Sequence, residues 1–326
     1  MSFVSQWLDD AIGRFCHLWP AGHFFSFAFN VHALLALILV GLSCGSVGSL
    51  VVGSRMAFFS DALAHCAFAG VSIGFVLFEA MHQLFDVPRD QFWEFVTPVM
   101  VAFGILVGYG IAAVRLRTGL ASDTVIGVFF AGSIGLAAML RKLMYSRALW
   151  SLEDFLFGDP VNVNTADLVA LALLVVLTLV VLWRLYNPLL LTSFNSSLAL
   201  SRRVRVRLCN YLFIMLLAVI VNLCLRCVGV LLINALLIVP AATAVNVSRN
   251  MRQFFAWTLG LCVTVGIAGQ WISWEVAMAF QPPAGSPLGG RGSVQLGIPG
   301  TVILLSVALF VVSMVVGAWV RRQPAA

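Results

Sequence analysis

The sequence predicts an all-α polytopic membrane protein, and two observations carry that prediction. Of its 326 residues, 61% are hydrophobic and only 10% are charged, whereas soluble domains carry about 25% charge. The apolar residues also fall in stretches long enough to cross a hydrocarbon core, which takes about 20 helical residues. Nine such stretches are present: 32–53, 57–82, 94–116, 122–140, 165–186, 208–227, 228–247, 254–280 and 298–320. Almost no polar residue separates the sixth from the seventh, so composition leaves that boundary open.

Residues 1–30 precede the first span. Asp9 and Asp10 stand where a secretory signal would carry basic residues, and the apolar run is interrupted. Trp7, Phe15, Trp19, Phe24 and Phe25 predict a helix lying at the membrane–water interface. The chain therefore divides into an interfacial segment, 1–30, and a lipid-embedded domain, 31–326.

Charge sets the orientation. With an outside N-terminus and alternating spans, Arg55, Arg115, Arg117, Arg184, Arg202, Arg203, Arg205, Arg207, Arg249, Arg252, Arg321 and Arg322 face the cytoplasm. Arg14, Arg89, Arg141, Lys142, Arg147, Arg226 and Arg291 fall outside. That bias is the positive-inside pattern and predicts an N-out, C-in chain. The net charge of +6 is thereby used up as a topology signal, so it is no footprint for nucleic acid.

The second span carries the first polar pair. "FFSDALAHCAFAGVSIGF" (58–75) contains Asp61 and His65 at i, i+4, which places them on one helix face. Asp61 lies about 9 Å along a helix from Arg55, hence in the inner half of the membrane. An ionised carboxylate in lipid costs roughly 2.5–3.5 kcal/mol on insertion scales, so a partner or a function is expected. A carboxylate oxygen and an imidazole nitrogen suit a divalent transition metal. The same pair also serves as a proton relay, as a hydrogen bond between helices, or with Asp61 in a snorkelling or capping role. Two ligands per chain make an incomplete site, which a symmetric pair of chains across a pore would double.

Other motifs read as packing. Gly70-Val-Ser72-Ile-Gly74 matches G-x-S-x-G, but a serine nucleophile needs a strand-to-helix elbow, and this motif falls within a membrane helix. Cys224 and Cys227 form a C-x-x-C without a second pair, and most of the seven cysteines fall in predicted spans. No H-E-x-x-H and no G-x-x-x-x-G-K-[ST] phosphate loop occurs, so any ATP that drives the protein is bound by another chain.

Three later segments punctuate the chain. "EDFLFGDPVNVNTAD" (153–167), outside, has acids that attract cations, although capping by Asn164 or Thr165 accounts for part of it. "NPLLLTSFNSSLALSRRVRVR" (187–207), inside, offers Ser193 or Asn195 as the cap of a short helix through Leu198 and Leu200, followed by a basic run. "VGVLLINALLIVPAATAVNV" (228–247) has Asn234 near mid-span and Pro240, which removes a backbone hydrogen bond and predicts a kink at a pore or a packing site. Residues 281–300 are rich in proline and glycine and read as loop throughout.

Taken together, "RMAFFSDALAHCAFAGVSIGF" (55–75), "SDTVIGVFFAGSIGLAAML" (122–140) and "VGVLLINALLIVPAATA" (228–244) resemble the permease subunits of bacterial zinc/manganese/iron ABC importers, and "LEDFLFGDPVNVNTADL" (152–168) fits more loosely. The resemblance spans about 32–320. It implies a type II, cobalamin-type importer fold in the bacterial cytoplasmic membrane. It also implies a second permease (another copy or a paralogue), a cytoplasmic ABC ATPase dimer and an extracytoplasmic metal-binding protein. Asp61 and His65 match the family's D-x-x-x-H metal contacts, and 187–207 lies where such permeases engage the ATPase. Three departures stand out: Ser60 where the family has glycine, Val245 where it has arginine, and Gly297 in "LGIPG" where it has an acid, preceded by extra residues at 281–295.

The reading is a permease subunit that makes no covalent change in its substrate and holds no tight cofactor. It passes zinc, manganese or iron by alternating access at Asp61 and His65. The rivals are a haem or siderophore permease of the same architecture and a proton-coupled secondary transporter.

Overall fold

The computed structural model describes residues 2–20, 22–54, 56–144, 158–194, 201–202, 205–280 and 297–322. Within them the chain forms ten α-helices: α1 (Ser2–Cys16), α2 (Ala28–Gly53), α3 (Ala57–Phe85), α4 (Phe92–Thr118), α5 (Ser122–Met144), α6 (Thr165–Phe194), α7 (Val206–Val228), α8 (Val230–Val247), α9 (Met251–Ala279) and α10 (Ile298–Arg322). Nine of these, α2 to α10, are long and apolar enough to cross a membrane. They are the nine stretches expected from hydropathy.

Differences at the ends have local causes. The open boundary between the sixth and seventh spans is one residue, Gly229, at φ +79°. Glycine enters that left-handed region without a Cβ penalty, so the chain turns with no polar residue to mark it. Gly158 also has positive φ, and a Cβ there would sit 2.4 Å from the Gly229 nitrogen. Helix α6 runs to Phe194, past Pro188, so it takes in the first part of the segment read as a cytoplasmic loop. Residues 281–296 lie outside the described set, but 298–300 are not loop, because α10 starts at Ile298. Pro299 falls in its first turn, where a missing N–H costs nothing.

The helices gather into two compact units. The first comprises Met1–Ser49, Leu156–Leu177 and Cys227–Ala326; the second comprises Leu50–Phe155 and Thr178–Arg226. In the first, α2 and α9 run antiparallel at close range. A Cβ on Gly45 would be 2.9 Å from Leu259 Cα, and one on Gly41 would be 3.2 Å from the Cys262 carbonyl oxygen. Small residues at this spacing let membrane helices approach where lipid offers no hydrophobic drive. Gln270 Nε2 on α9 donates to the Asn30 carbonyl at 2.9 Å, and Asn30 Nδ2 donates to the Phe24 carbonyl at 3.1 Å, which ties the N-terminal segment to α9. Phe24 packs against Trp271 and Trp274, with ring centroids 5.1 and 5.8 Å away.

In the second unit α3 packs against α4 and α5. A Cβ on Gly70 would come within 3.0 Å of Met100 Cα, and one on Gly74 within 3.0 Å of Val96 Cγ1. The G-x-S-x-G motif is therefore a packing seam, and Ser72 is buried mid-helix with no elbow around it. All seven cysteines are buried as thiols.

Candidate functional site

Helix α3 sorts its residues by face. Phe59, Ala62, Leu63, Ala64, Cys66 and Ala67 are buried against their neighbours. Phe58 is exposed, and Asp61, His65 and Phe68 are each part-exposed; these four recur at intervals of three and four. They form one stripe along the helix that the chain's own packing leaves open. Within it His65 Nε2 lies 3.6 Å from Asp61 Oδ1, with side chains 26% and 45% exposed.

Aromatic rings hold the imidazole in place. Phe130 of α5 meets it edge-on at 5.3 Å, and Phe68, one turn along α3, lies at 6.2 Å. Cys66, the next residue along α3, directs Sγ toward the Phe129 carbonyl oxygen at 3.9 Å, which helps seat α5 against α3. Ser60, at the family's glycine position, is buried and donates to the Ala57 carbonyl at 2.9 Å, so its hydroxyl is satisfied within the first turn.

Among the described residues no group of three or more His, Cys, Asp or Glu side chains could enclose a metal ion. One carboxylate and one imidazole on an open face can contact a passing divalent ion, with water or a second chain filling its other positions.

Asn234 and Pro240 lie on α8, in the first unit, whereas Asp61 and His65 belong to the second. Pro240 is buried inside its helix. Lacking an N–H, it leaves the Leu236 carbonyl, one turn back, without its helical donor. The Cys262 thiol of α9 supplies one: Sγ lies 3.1 Å from that oxygen. Sequence reading of Pro240 missed this partner, 26 residues downstream of Leu236. Asn234 is half-buried on the same helix. Val245, at the family's arginine position, is exposed.

The segment read as cytoplasmic, 187–207, is placed in part. Ser193, one of the two candidate caps, lies in the last turn of α6, inside a helix rather than at the start of one. Asn195, Leu198 and Leu200 lie outside the described residues. In the acidic stretch, Asp159 accepts from Val161 N and Asn162 Nδ2, both at 3.1 Å, and so serves its own turn. Asp167 accepts from Asn164 N at 3.3 Å, the reach-back of a capping box.

The sequence matches the model of a family described as "ABC 3 transport family" over residues 26–285. The chain belongs to the ABC 3 transport family. As a member it is a multi-pass ABC transporter permease subunit and not itself an enzyme. It is 30% identical over 253 residues to the manganese import system permease protein ScaB of Streptococcus parasanguinis, covering 78% of this chain and 84% of that protein. It is 26% identical over 282 residues to the high-affinity zinc uptake system membrane protein ZnuB of Haemophilus influenzae, covering 86% and 95%. Among solved structures it is similar to a chain of PsaBC from Streptococcus pneumoniae in complex with Fab. The TM-score there is 0.68 at 24% identity, over 88% of this chain and 91% of that one. That likeness shows that the two chains share a fold.

Proposed function

We propose that this permease carries manganese or zinc inward as part of an ABC importer. The ion would pass the Asp61–His65 pair of two permeases that face each other. The observation that carries the reading is the open stripe on α3, where an imidazole and a carboxylate lie 3.6 Å apart while the other residues from Phe59 to Ala67 are buried. The relatives named for manganese import and zinc uptake support the choice of ion. Iron(II) accepts the same two donors.

Only two ligands per chain suit transit, because a site on a pathway must release what it binds. ATP binding and hydrolysis in a separate ATPase would bias inward- and outward-facing states by their different affinity for it. An extracytoplasmic binding protein would deliver the ion, and 187–207 would receive the ATPase stroke.

The test is uptake of radioactive manganese and zinc into cells expressing the chain with its ATPase and binding protein. Asp61→Ala and His65→Ala are each expected to bring uptake to background at normal membrane levels. Uptake at the wild-type rate in both variants would assign the pair to helix packing.

A further inference from the structure

Three side chains from three helices meet within the first unit. Asp9 comes from α1, His32 from the start of α2 and Thr165 from the start of α6. The Thr165 hydroxyl donates to Asp9 Oδ1. His32 Nε2 lies 3.3 Å from Thr165 Oγ1 and 3.5 Å from Asp9 Oδ1. On the other side of the ring, Nδ1 is 2.7 Å from the Ala28 carbonyl oxygen.

A carbonyl oxygen only accepts, so Nδ1 carries the proton of that bond, which fixes the ring's orientation. Metal-binding histidines are held in this way, with one ring nitrogen donating to a backbone carbonyl and the other left for the ion. Here Nε2 faces a carboxylate oxygen, which is also an acceptor, and the one nearby hydroxyl proton is already given to Asp9. Two acceptors facing each other are drawn together when a cation lies between them, either a second ring proton or a metal ion. Their 3.5 Å separation is long for a hydrogen bond. It is the spacing of two ligands that share one ion at about 2.1 Å each in tetrahedral geometry.

We propose that Asp9 and His32, with the Thr165 hydroxyl as a supporting oxygen, form a second divalent-metal site that accepts Mn²⁺ or Zn²⁺. The side chain of His32 is 14% exposed and that of Asp9 is 56% exposed, so the site is anchored on one side and open to water on the other. Arginine placement predicts that α1 and the starts of α2 and α6 lie on the outer side, where an imported ion arrives. Two strong ligands make a weak site that gives the ion up. The acceptor role rests on the importer reading, whereas metal binding itself does not.

The test uses the full chain with its ATPase in lipid nanodiscs. Asp61→Ala and His65→Ala are installed together to remove the transit pair. Mn²⁺ is titrated in, and binding is read as loss of the free-ion electron paramagnetic resonance signal. This background is expected to keep one class of sites. Adding Asp9→Asn or His32→Gln should abolish it, Thr165→Val should weaken it about tenfold, and Thr165→Ser should retain it. A monodisperse elution profile shows that each variant is folded.

A background that binds no Mn²⁺ with Asp9 and His32 intact would overturn the proposal. So would binding that survives His32→Gln while α1 becomes more sensitive to protease, which would make the cluster a structural latch. Metal uptake measured in parallel on the complex with Asp61 and His65 intact separates the two readings. A complex that binds Mn²⁺ at Asp9 and His32 but imports no metal counts against the importer and leaves this site standing.

Discussion

The thiol of Cys262 has a definite task at the scale of single residues. It donates to the Leu236 carbonyl that Pro240 leaves without a partner in a fully buried setting. Removing a donor there exposes the whole desolvation cost of the acceptor, about 1–3 kcal/mol. Cys262→Ala is therefore expected to lower the thermal midpoint of the detergent-purified protein, and Cys262→Ser, which keeps a donor, to lower it less. Equal midpoints for all three proteins would mean that the Leu236 carbonyl needs no partner. Asp61 and His65 were legible from the sequence because their relation is local: i, i+4 on a helix fixes a shared face. The bond from Cys262 to Leu236 was not legible, since nothing within 26 residues of chain signals which turn of α9 lies beside which turn of α8. The Asp9, His32 and Thr165 cluster was hidden for the same reason, with 133 residues between His32 and Thr165.

Hydropathy places whole elements well, because a span is a composition averaged over about 20 residues. It places their ends poorly, because ends depend on backbone conformation. Gly229 divides α7 from α8 through a positive φ, which no polarity scale records. Helix α6 continues through Asn187 and Pro188 to Phe194. Pro188 does not stop it, and the Thr192 hydroxyl donates back to the Pro188 carbonyl at 2.7 Å within the same helix. The cytoplasmic segment that follows is the proposed ATPase contact. Leu198→Asp with Leu200→Asp is expected to leave the permease at normal level in the membrane while the ATPase no longer copurifies with it. Undiminished copurification would move the contact to another cytoplasmic loop.

For the whole molecule, the nine candidate spans among the described residues would put the two termini on opposite sides, and the arginine bias predicts an outside N-terminus. Asp10→Cys on α1 should react with a membrane-impermeant maleimide on intact spheroplasts, and Arg252→Cys at the start of α9 only after permeabilisation. The reverse pattern would invert the orientation and with it the direction inferred for the ion. Sequence by itself determined the class of protein, the nine apolar stretches and the shared face of Asp61 and His65, and it predicts the N-out orientation. All of these follow from average hydropathy, charge placement or helical periodicity, which are properties of neighbours along the chain. Only the tertiary structure decided which residues meet from afar: α2 against α9 at Gly41 and Gly45, Cys262 beneath Pro240, and Asp9 with His32 and Thr165. Those meetings depend on how helices dock, and in a membrane docking is settled by close packing and hydrogen bonds between particular side chains rather than by hydrophobicity, which is the same on every face.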